Sequence, residues 1–513
     1  MDTNAKEIGD SALLTKLERL ARGGKPRVVD MFSGAGGISL GFHRAGFRID
    51  AALEIEPLPA LTHAFNFHGS QPDMMALHAR PRDMTKVEPD QLTEELNLGS
   101  VAEAVDVLVG GPPCQAYARV GRAKLREIAD HPEAFKVDPR ANLFLRYLAY
   151  VKAFRPLAIL MENVPDILNF SGHNIVEEMV EALGVLGYDA RYTLVNTAFH
   201  GVPQMRDRVF LLAYRRELNA KIRFPAASHH MNLPSGYAGT RAVALRFVDL
   251  LGGAGFLQAD LGDASLPFPV TAEEAIGDLA SIKGTSVRRG KRSFTTLSEY
   301  RDTNELSAYA ADMRQWHGFE NINGVRDHVI RYLPRDHMTF AEMRPGAEYP
   351  EAHGTAVKIA NREARRLGYK LGTKAFQQLH DSIVPPYDVL KFPNKWWKLK
   401  ADYPVRTLMA HIGKDTYSHI HYDGTQARTI SVREAARLQS FPDGFVFSGA
   451  MNAAFRQVGN AVPPLMATAI AEIVRATLTD AAARSAPQES ITSPPDKSIV
   501  GSSQLIPLAS IGT

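Results

Sequence analysis

The sequence predicts an α/β fold, doubly wound around a mostly parallel sheet and interrupted by an inserted, loop-rich domain. Three observations carry that expectation. From Lys25 to about Arg216, short apolar runs alternate with stretches of helical periodicity, the pattern of strands joined by crossover helices. Two of the runs end in turns rich in glycine or proline, "SGAGG" at 33–37 and "GGPPCQ" at 110–115. The alternation then stops, and resumes only near Tyr403.

The elements follow in order. Residues 1–24 form an N-terminal extension in which Leu13, Leu14, Leu17 and Leu20 recur at helical spacing, so a short amphipathic lead-in helix is expected. In the first part of the main domain, 25–216, "RVVDMF", "RIDAALE", "VDVLVGG", "LAILMEN" and "RVFLLAY" read as strands. "ISLGFHRAG", "PALTHAFNF", "ANLFLRYLAYVKAF" and "NIVEEMVEALGVLG" read as the intervening helices. Residues 217–402 are less periodic, richer in Gly, Pro, His and Arg, and carry the basic runs "VRRGKR" (287–292) and "REARRLGYK" (362–370). Residues 403–478 complete the main domain with a closing helix over 461–478. The stretch 479–513 is small, polar and rich in Pro and Ser, and is expected to be disordered.

Composition narrows the class. Hydrophobic residues make up 45% of the 513 and charged residues 22%, which suits a soluble protein with a substantial core. No apolar run in the sequence approaches the ~20 residues of a membrane helix, and the first residues lack the apolar core and cleavage site of a secretory signal. Cys114 is the one cysteine, which excludes an intrachain disulfide and a cysteine-cluster zinc site; a reducing cytoplasm fits. No metal is expected. A net charge of +3 permits a nucleic-acid partner without demanding one, because a phosphate-binding face needs local excess.

The two turns hold the candidate chemistry. In "VVDMFSGAGGISLGF" a strand passes through Gly34, Gly36 and Gly37 into a helix, and glycines admit positive φ and close ligand approach. Glu54 ends the next strand, where a carboxylate meets ribose hydroxyls bound at strand ends. Ser39 replaces the third glycine of the dinucleotide fingerprint, so the turn alone leaves the cofactor open. Cys114 follows two φ-locked prolines, which suits a thiol presented at a fixed angle rather than one buried in a core.

Six segments in order, "DMFSGAGG", "GGPPCQ", "MENV" (161–164), "QMRDR" (204–208), "REAARLQSFPD" (433–443) and "QVGNAVPP" (457–464), resemble the motif set of the DNA (cytosine-5)-methyltransferases. The resemblance covers about 25–215 and 403–475. It implies a Rossmann-like, class I S-adenosylmethionine-dependent methyltransferase fold, with 217–402 as the target-recognition domain. It implies that Cys114 adds to C6 of cytosine, so that C5 gains carbanion character and takes the methyl group of S-adenosyl-L-methionine. Glu162 would serve N3, which requires its carboxyl to be protonated near neutral pH. Arg208 would hold the cytosine O2, and Arg206, Gln204 and Gln115 would support loops or touch DNA. Phe32, Glu54, Asp83, Met84, Pro113, Leu143 and Asn460 would line the cofactor pocket with the three glycines. Ile55 stands where relatives often carry an aromatic residue over the adenine, and Ala118 where they usually carry a serine.

The target cytosine would have to leave the DNA stack to expose C6. Double-stranded DNA is therefore the expected partner of a monomeric, DNA-associated bacterial enzyme with no membrane partner. The sequence leaves open whether a cognate restriction endonuclease acts on the same site or the enzyme acts alone. A tRNA cytosine-5 methyltransferase is the nearest alternative, but that kind usually lacks so long an insertion. A non-catalytic DNA-binding protein on the same scaffold is opposed by the intact Cys114, Glu162, Arg208 and Asn460. A nicotinamide-dependent dehydrogenase is opposed by the broken glycine pattern.

Overall fold

The computed structural model of the protein describes residues 2–113, 142–286, 296–302, 305–393, 395–413 and 417–485. Its strands are β1 (Arg27–Met31), β2 (Arg48–Leu53), β3 (Val107–Gly110), β4 (Ala158–Asn163), β5 (Tyr188–Asn196) and β6 (Asp207–Arg215). They form one sheet in the order β2-β1-β3-β4-β6-β5. β1 pairs in parallel with β2 and β3, and β3 with β4, whereas β6 runs antiparallel to both β4 and β5. Five strands thus share one direction and β6 opposes them. The reversal follows from the short link 197–206 between β5 and β6, because a parallel return needs a crossover of a dozen residues or more.

β5 is a strand the sequence reading did not anticipate. In "YDARYTLVN" Tyr188, Ala190 and Tyr192 are buried while Asp189 and Arg191 are exposed. The two charges break the continuous apolar run that marks the doubly covered strands, and alternation replaces it.

Strand residues divide cleanly between the two faces, as the pleat requires. Val29, Met31, Leu108, Ile159 and Met161 face one core, shared with the helices Asn142–Phe154 and Ile175–Val185. Val28, Val107, Val109, Ala158 and Leu160 face the other, shared with the helices Gly37–Arg44 and Pro464–Ser485. The N-terminal helix Asp2–Ala21 joins this second face through Leu13 and Leu17, leaving Leu14 exposed. Its Lys16 is buried and donates from Nζ to the carbonyls of Phe154 (2.8 Å) and Arg155 (2.9 Å), capping the helix Asn142–Phe154. Burial pushes that ammonium down to about 7.

Three expectations need correction. The closing helix spans Pro464–Ser485, so Thr479–Ser485 is helical; Ala481 and Ala482 are buried in the core, which an alanine-rich turn does at little entropic cost. Residues 451–485 also reach membrane-helix length and hydropathy, contrary to the composition reading, but 67% of the most apolar window is buried inside the protein. Met466, Ile470, Val474 and Leu478 are wholly enclosed, as in a soluble core helix. Finally, packing does not break at residue 217. Ala244 and Val248 of the helix Ser235–Leu251 belong to the first core, and Ala272, Ile276 and Trp316 share a third core with Leu408, Phe441 and Phe455. The helices Tyr349–Leu367 and Lys374–Ile383 form a hairpin with a small core from Ala356, Ile359, Ala360, Ile383 and Val384, while Tyr349 and Ala352 join a neighbouring core with Phe340, Met343 and Trp396.

Candidate active site

The parallel strands end along one edge, and the candidate residues gather there. β1 leaves the sheet at Phe32, whose φ of 60° is left-handed, and the chain turns through Gly34 (φ 53°) and Gly36 (φ 99°) into the helix Gly37–Arg44. Gly34 faces open space, and Ser33 Oγ is buried without a hydrogen-bond partner among the described residues. Gly37 does something different: a Cβ there would lie 2.2 Å from the Val462 carbonyl. The turn therefore admits the "NAVPP" segment, bringing Asn460 to this edge at the exposed end of the helix Met451–Asn460.

Glu54 closes the turn from β2. Its carboxylate accepts from the Gly34 amide (2.9 Å) and the Glu56 amide (2.8 Å). Burial pushes the carboxyl above its ordinary value, with those two amides pulling the other way. The Arg82 amide donates to the Glu54 carbonyl (2.7 Å), which sets Asp83 beside Glu54. Asp83 accepts from Thr85 Oγ1 (2.7 Å) and the Thr85 amide (3.0 Å); burial opposes its ionisation, but these bonds hold it below the usual carboxylate range. Ile55 is 61% exposed next to Glu54, Phe32 and Leu143 pack against the first core, and Met84 is buried within it. Ser39, in place of the third glycine, donates to buried Asp30 (2.6 Å) and contacts His63 Nε2 (2.9 Å), tying helix to strand.

β3 ends at Gly110, and Gly111, Pro112 and exposed Pro113 follow; Cys114 and Gln115 lie outside the described residues, as do Ala118 and 287–292. The strand register explains why Glu162 and Arg208 meet. Glu162 pairs with Phe210 across β4 and β6, and Arg208 is two residues from Phe210, on the same face and diagonal to Glu162. Arg208 Nε lies 2.7 Å from Glu162 Oε1, an ion contact rather than an aligned hydrogen bond. Both side chains are nearly buried, at 11% and 12% exposure. A Cβ on Gly111 would sit 3.0 Å from Glu162 Oε2, so glycine keeps the carboxylate against the loop. Behind it a cavity of about 20 Å³, lined by Met161, Ile167, Ile175, Met179 and Leu211, gives the carboxylate an apolar wall.

Asn163 is the residue sequence reasoning missed. Its Nδ2 donates to the Pro112 carbonyl (2.7 Å) and its Oδ1 accepts from the Val164 amide (2.9 Å). It pins the proline loop two residues before Cys114. The signal was its place beside Glu162 in "MENV".

The remaining motif residues fasten motif to motif. Buried Arg206 donates to the carbonyls of Leu408 (2.8 Å) and Gly459 (3.0 Å), next to Asn460. Buried Gln204 donates to the Leu438 carbonyl (3.2 Å) and to Gln439, and accepts from the Leu408 amide (2.7 Å). Gln439 in turn donates to the Ala461 carbonyl (2.5 Å). Asp207 pairs with Arg241 (3.2 Å), not with the arginines flanking it. The whole "REAARLQ" segment is buried, with Arg437 held between Asp278 and Asp443. It braces the site and offers no group to a ligand.

The arrangement therefore places a cation-paired carboxylate, an anchored loop leading to a thiol, and a carboxylate-closed glycine turn along one edge. The family model for C-5 cytosine-specific DNA methylase matches residues 26–475. M.OihORF3336P of Oceanobacillus iheyensis is 36% identical over 458 residues, covering 88% of this chain and 95% of that one. The type II methyltransferase M.AgeI of Thalassovita gelatinovora is 29% identical over 88% of this chain and 100% of its own length. Among solved structures, a prophage-encoded E. coli chain superposes with a TM-score of 0.55 at 19% identity, over 88% of this chain and 99% of that one, a likeness of fold. The chain belongs to the C-5 cytosine-specific DNA methylase family and is a DNA cytosine-5-methyltransferase.

Proposed function

We propose that the enzyme methylates a cytosine extruded from duplex DNA, with Cys114 as covalent nucleophile, Glu162 serving N3, and Arg208 holding O2. The observation that carries this reading is the contact of Arg208 with Glu162 beside Gly111, on a loop that Asn163 fastens at Pro112. The thiolate of Cys114 forms a bond to C6, and the ring electrons move toward N3, which takes a proton from Glu162. C5, now carbanion-like, would accept the methyl group that S-adenosyl-L-methionine supplies, the sulfonium–methyl bond breaking and its sulfur leaving as a neutral thioether. The C5 proton leaves to a water molecule, the C5–C6 double bond returns, the sulfur departs, and N3 gives its proton back to Glu162. Orientation supplies much of the acceleration, because a positioned thiol attacks as if at very high local concentration.

S-adenosyl-L-methionine would supply the methyl group. The open face of Gly34, the Ser33 hydroxyl that has no partner among the described residues, and the Glu54 carboxylate fit its nucleoside end. Phe32, Ile55, Asp83, Met84, Pro113, Leu143 and Asn460 would complete that pocket with Gly36 and Gly37. The named type II relatives support a companion restriction endonuclease and action in the bacterial cytoplasm. The test is methyl incorporation by the purified enzyme into duplex DNA and, separately, tRNA, with bisulfite sequencing to locate the product. Duplex-directed C5 methylation lost in Cys114→Ser supports the reading; methylation confined to tRNA, or undiminished in Cys114→Ser, overturns it.

A further inference from the structure

The helical hairpin within 217–402 is packed along its shaft, but packing does not account for its tip. Its first helix, Tyr349–Leu367, is 19 residues long and so reaches about 28 Å at 1.5 Å per residue. The turn between the helices uses Gly368 (φ 71°) and Gly372 (φ 81°). Every residue of the tip "RRLGYKLGTK", 365–374, is exposed. It carries Arg365, Arg366, Lys370 and Lys374 and no carboxylate, a local excess larger than the net +3 of the whole chain. Arg366 is paired with Glu363, but Arg365, Lys370 and Lys374 form no ion pair among the described residues. Between the cations stand apolar side chains that a soluble surface normally withdraws: Leu367 at 42%, Tyr369 at 41% and Leu371 at 83% exposure.

The root of the hairpin leads back to the active site. Tyr349 Oη donates to the Tyr387 carbonyl (2.9 Å), and Glu348 is paired with Arg406. Val405 then exchanges backbone hydrogen bonds with Pro203 (2.9 Å) and Met205 (2.8 Å), on the link that leads into β6 and Arg208.

The geometry points to the hairpin tip as a duplex-DNA contact: Lys370 and Lys374 neutralise backbone phosphates while Leu371 and Tyr369 enter the groove. Charge complementarity selects DNA, because unpaired cations beside exposed apolar groups match a polyanion whose base edges and steps take apolar contacts. The inference rests on the DNA reading above and deepens it by naming where the target-recognition segment touches its substrate.

The test is filter binding to sheared, unmethylated genomic duplex DNA across a salt series, beside methyl transfer to the same DNA. Lys370→Ala/Lys374→Ala is expected to weaken binding at least about tenfold near 0.15 M salt. It should reduce the slope of log K against log salt by about 2, near 0.9 per lost phosphate contact. Lys370→Arg/Lys374→Arg keeps the wild-type slope, and Leu371→Ser lowers affinity roughly threefold to tenfold without changing it. Arg22→Ala, just past the end of the N-terminal helix, is the charge control and leaves binding unchanged. Wild-type affinity and slope in the double alanine variant, with methylation by the wild type intact, overturn the tip assignment alone. Absence of duplex binding and methylation in the wild type overturns the DNA reading with it.

Discussion

Replacing Asn163 tests whether the proline loop is held by one amide. Asn163→Ala removes the bond to the Pro112 carbonyl (2.7 Å) and the bond from the Val164 amide (2.9 Å). Each bond contributes roughly 0.5–1.5 kcal/mol net, and a buried group left unpaired costs about 1–3 kcal/mol. Asn163→Asp is the sharper probe, because it preserves the acceptor for Val164 and replaces the donor to Pro112 with an oxygen that repels that carbonyl. If the freed loop misplaces Cys114 at a comparable cost of about 1–3 kcal/mol, kcat falls roughly fivefold to 150-fold at 1.36 kcal/mol per decade. The assay is transfer of a labelled methyl group to duplex DNA at saturating cofactor, with thermal melting in parallel. Both variants should lose kcat while the KM for the cofactor changes by less than about threefold. A kcat within about twofold of wild type in Asn163→Asp would refute the clamp.

Other consequences are equally open to measurement. Glu54→Ala should raise the cofactor dissociation constant at least about tenfold in calorimetry, since one carboxylate closes the glycine turn. Gly37→Ala puts a methyl group 2.2 Å from the Val462 carbonyl and should destabilise the fold by roughly 1–3 kcal/mol in a denaturant titration. Arg206→Ala strands the Leu408 and Gly459 carbonyls and should cost roughly 2–4 kcal/mol of stability together with cofactor affinity, read by melting with and without cofactor. Burial raises the Asp30 carboxyl from 3.8 to about 7. The folded state therefore holds that proton more tightly, and its stabilising contribution is lost as pH rises from near 4 through 7. Asp30→Asn should flatten that decline, by about 4 kcal/mol at most, in melts taken across the interval.

The sheet was legible where burial on both faces makes strands continuous and apolar, as in "VVDM", "VLVG" and "AILM". β5 escaped because Asp189 and Arg191 point to solvent, which turns a run into an alternation. The helix Ser235–Leu251 escaped because its buried face is only Arg241, Ala244 and Val248, too thin a stripe to stand out among polar neighbours. At the site, Glu162 and Arg208 could be named from their motifs, but their contact depends on an antiparallel register between distant segments. Gly37 illustrates a different limit. Its lack of a side chain was legible as close approach, but sequence does not say to what, and the nearest partner is the Val462 backbone. The basic run at 362–370 is likewise two things: Arg362 and Arg366 are neutralised by Glu342 and Glu363, while Arg365 and Lys370 stand free of ion pairs among the described residues.

The most direct measurement is to present the enzyme and its cofactor with duplex DNA whose target cytosines carry fluorine at C5, then digest the product and sequence it by mass spectrometry. Fluorine cannot leave as a proton does, so the sulfur–C6 bond persists. The account predicts one adduct, on the peptide containing Cys114, absent from Cys114→Ser. No adduct, or one on another side chain, contradicts it.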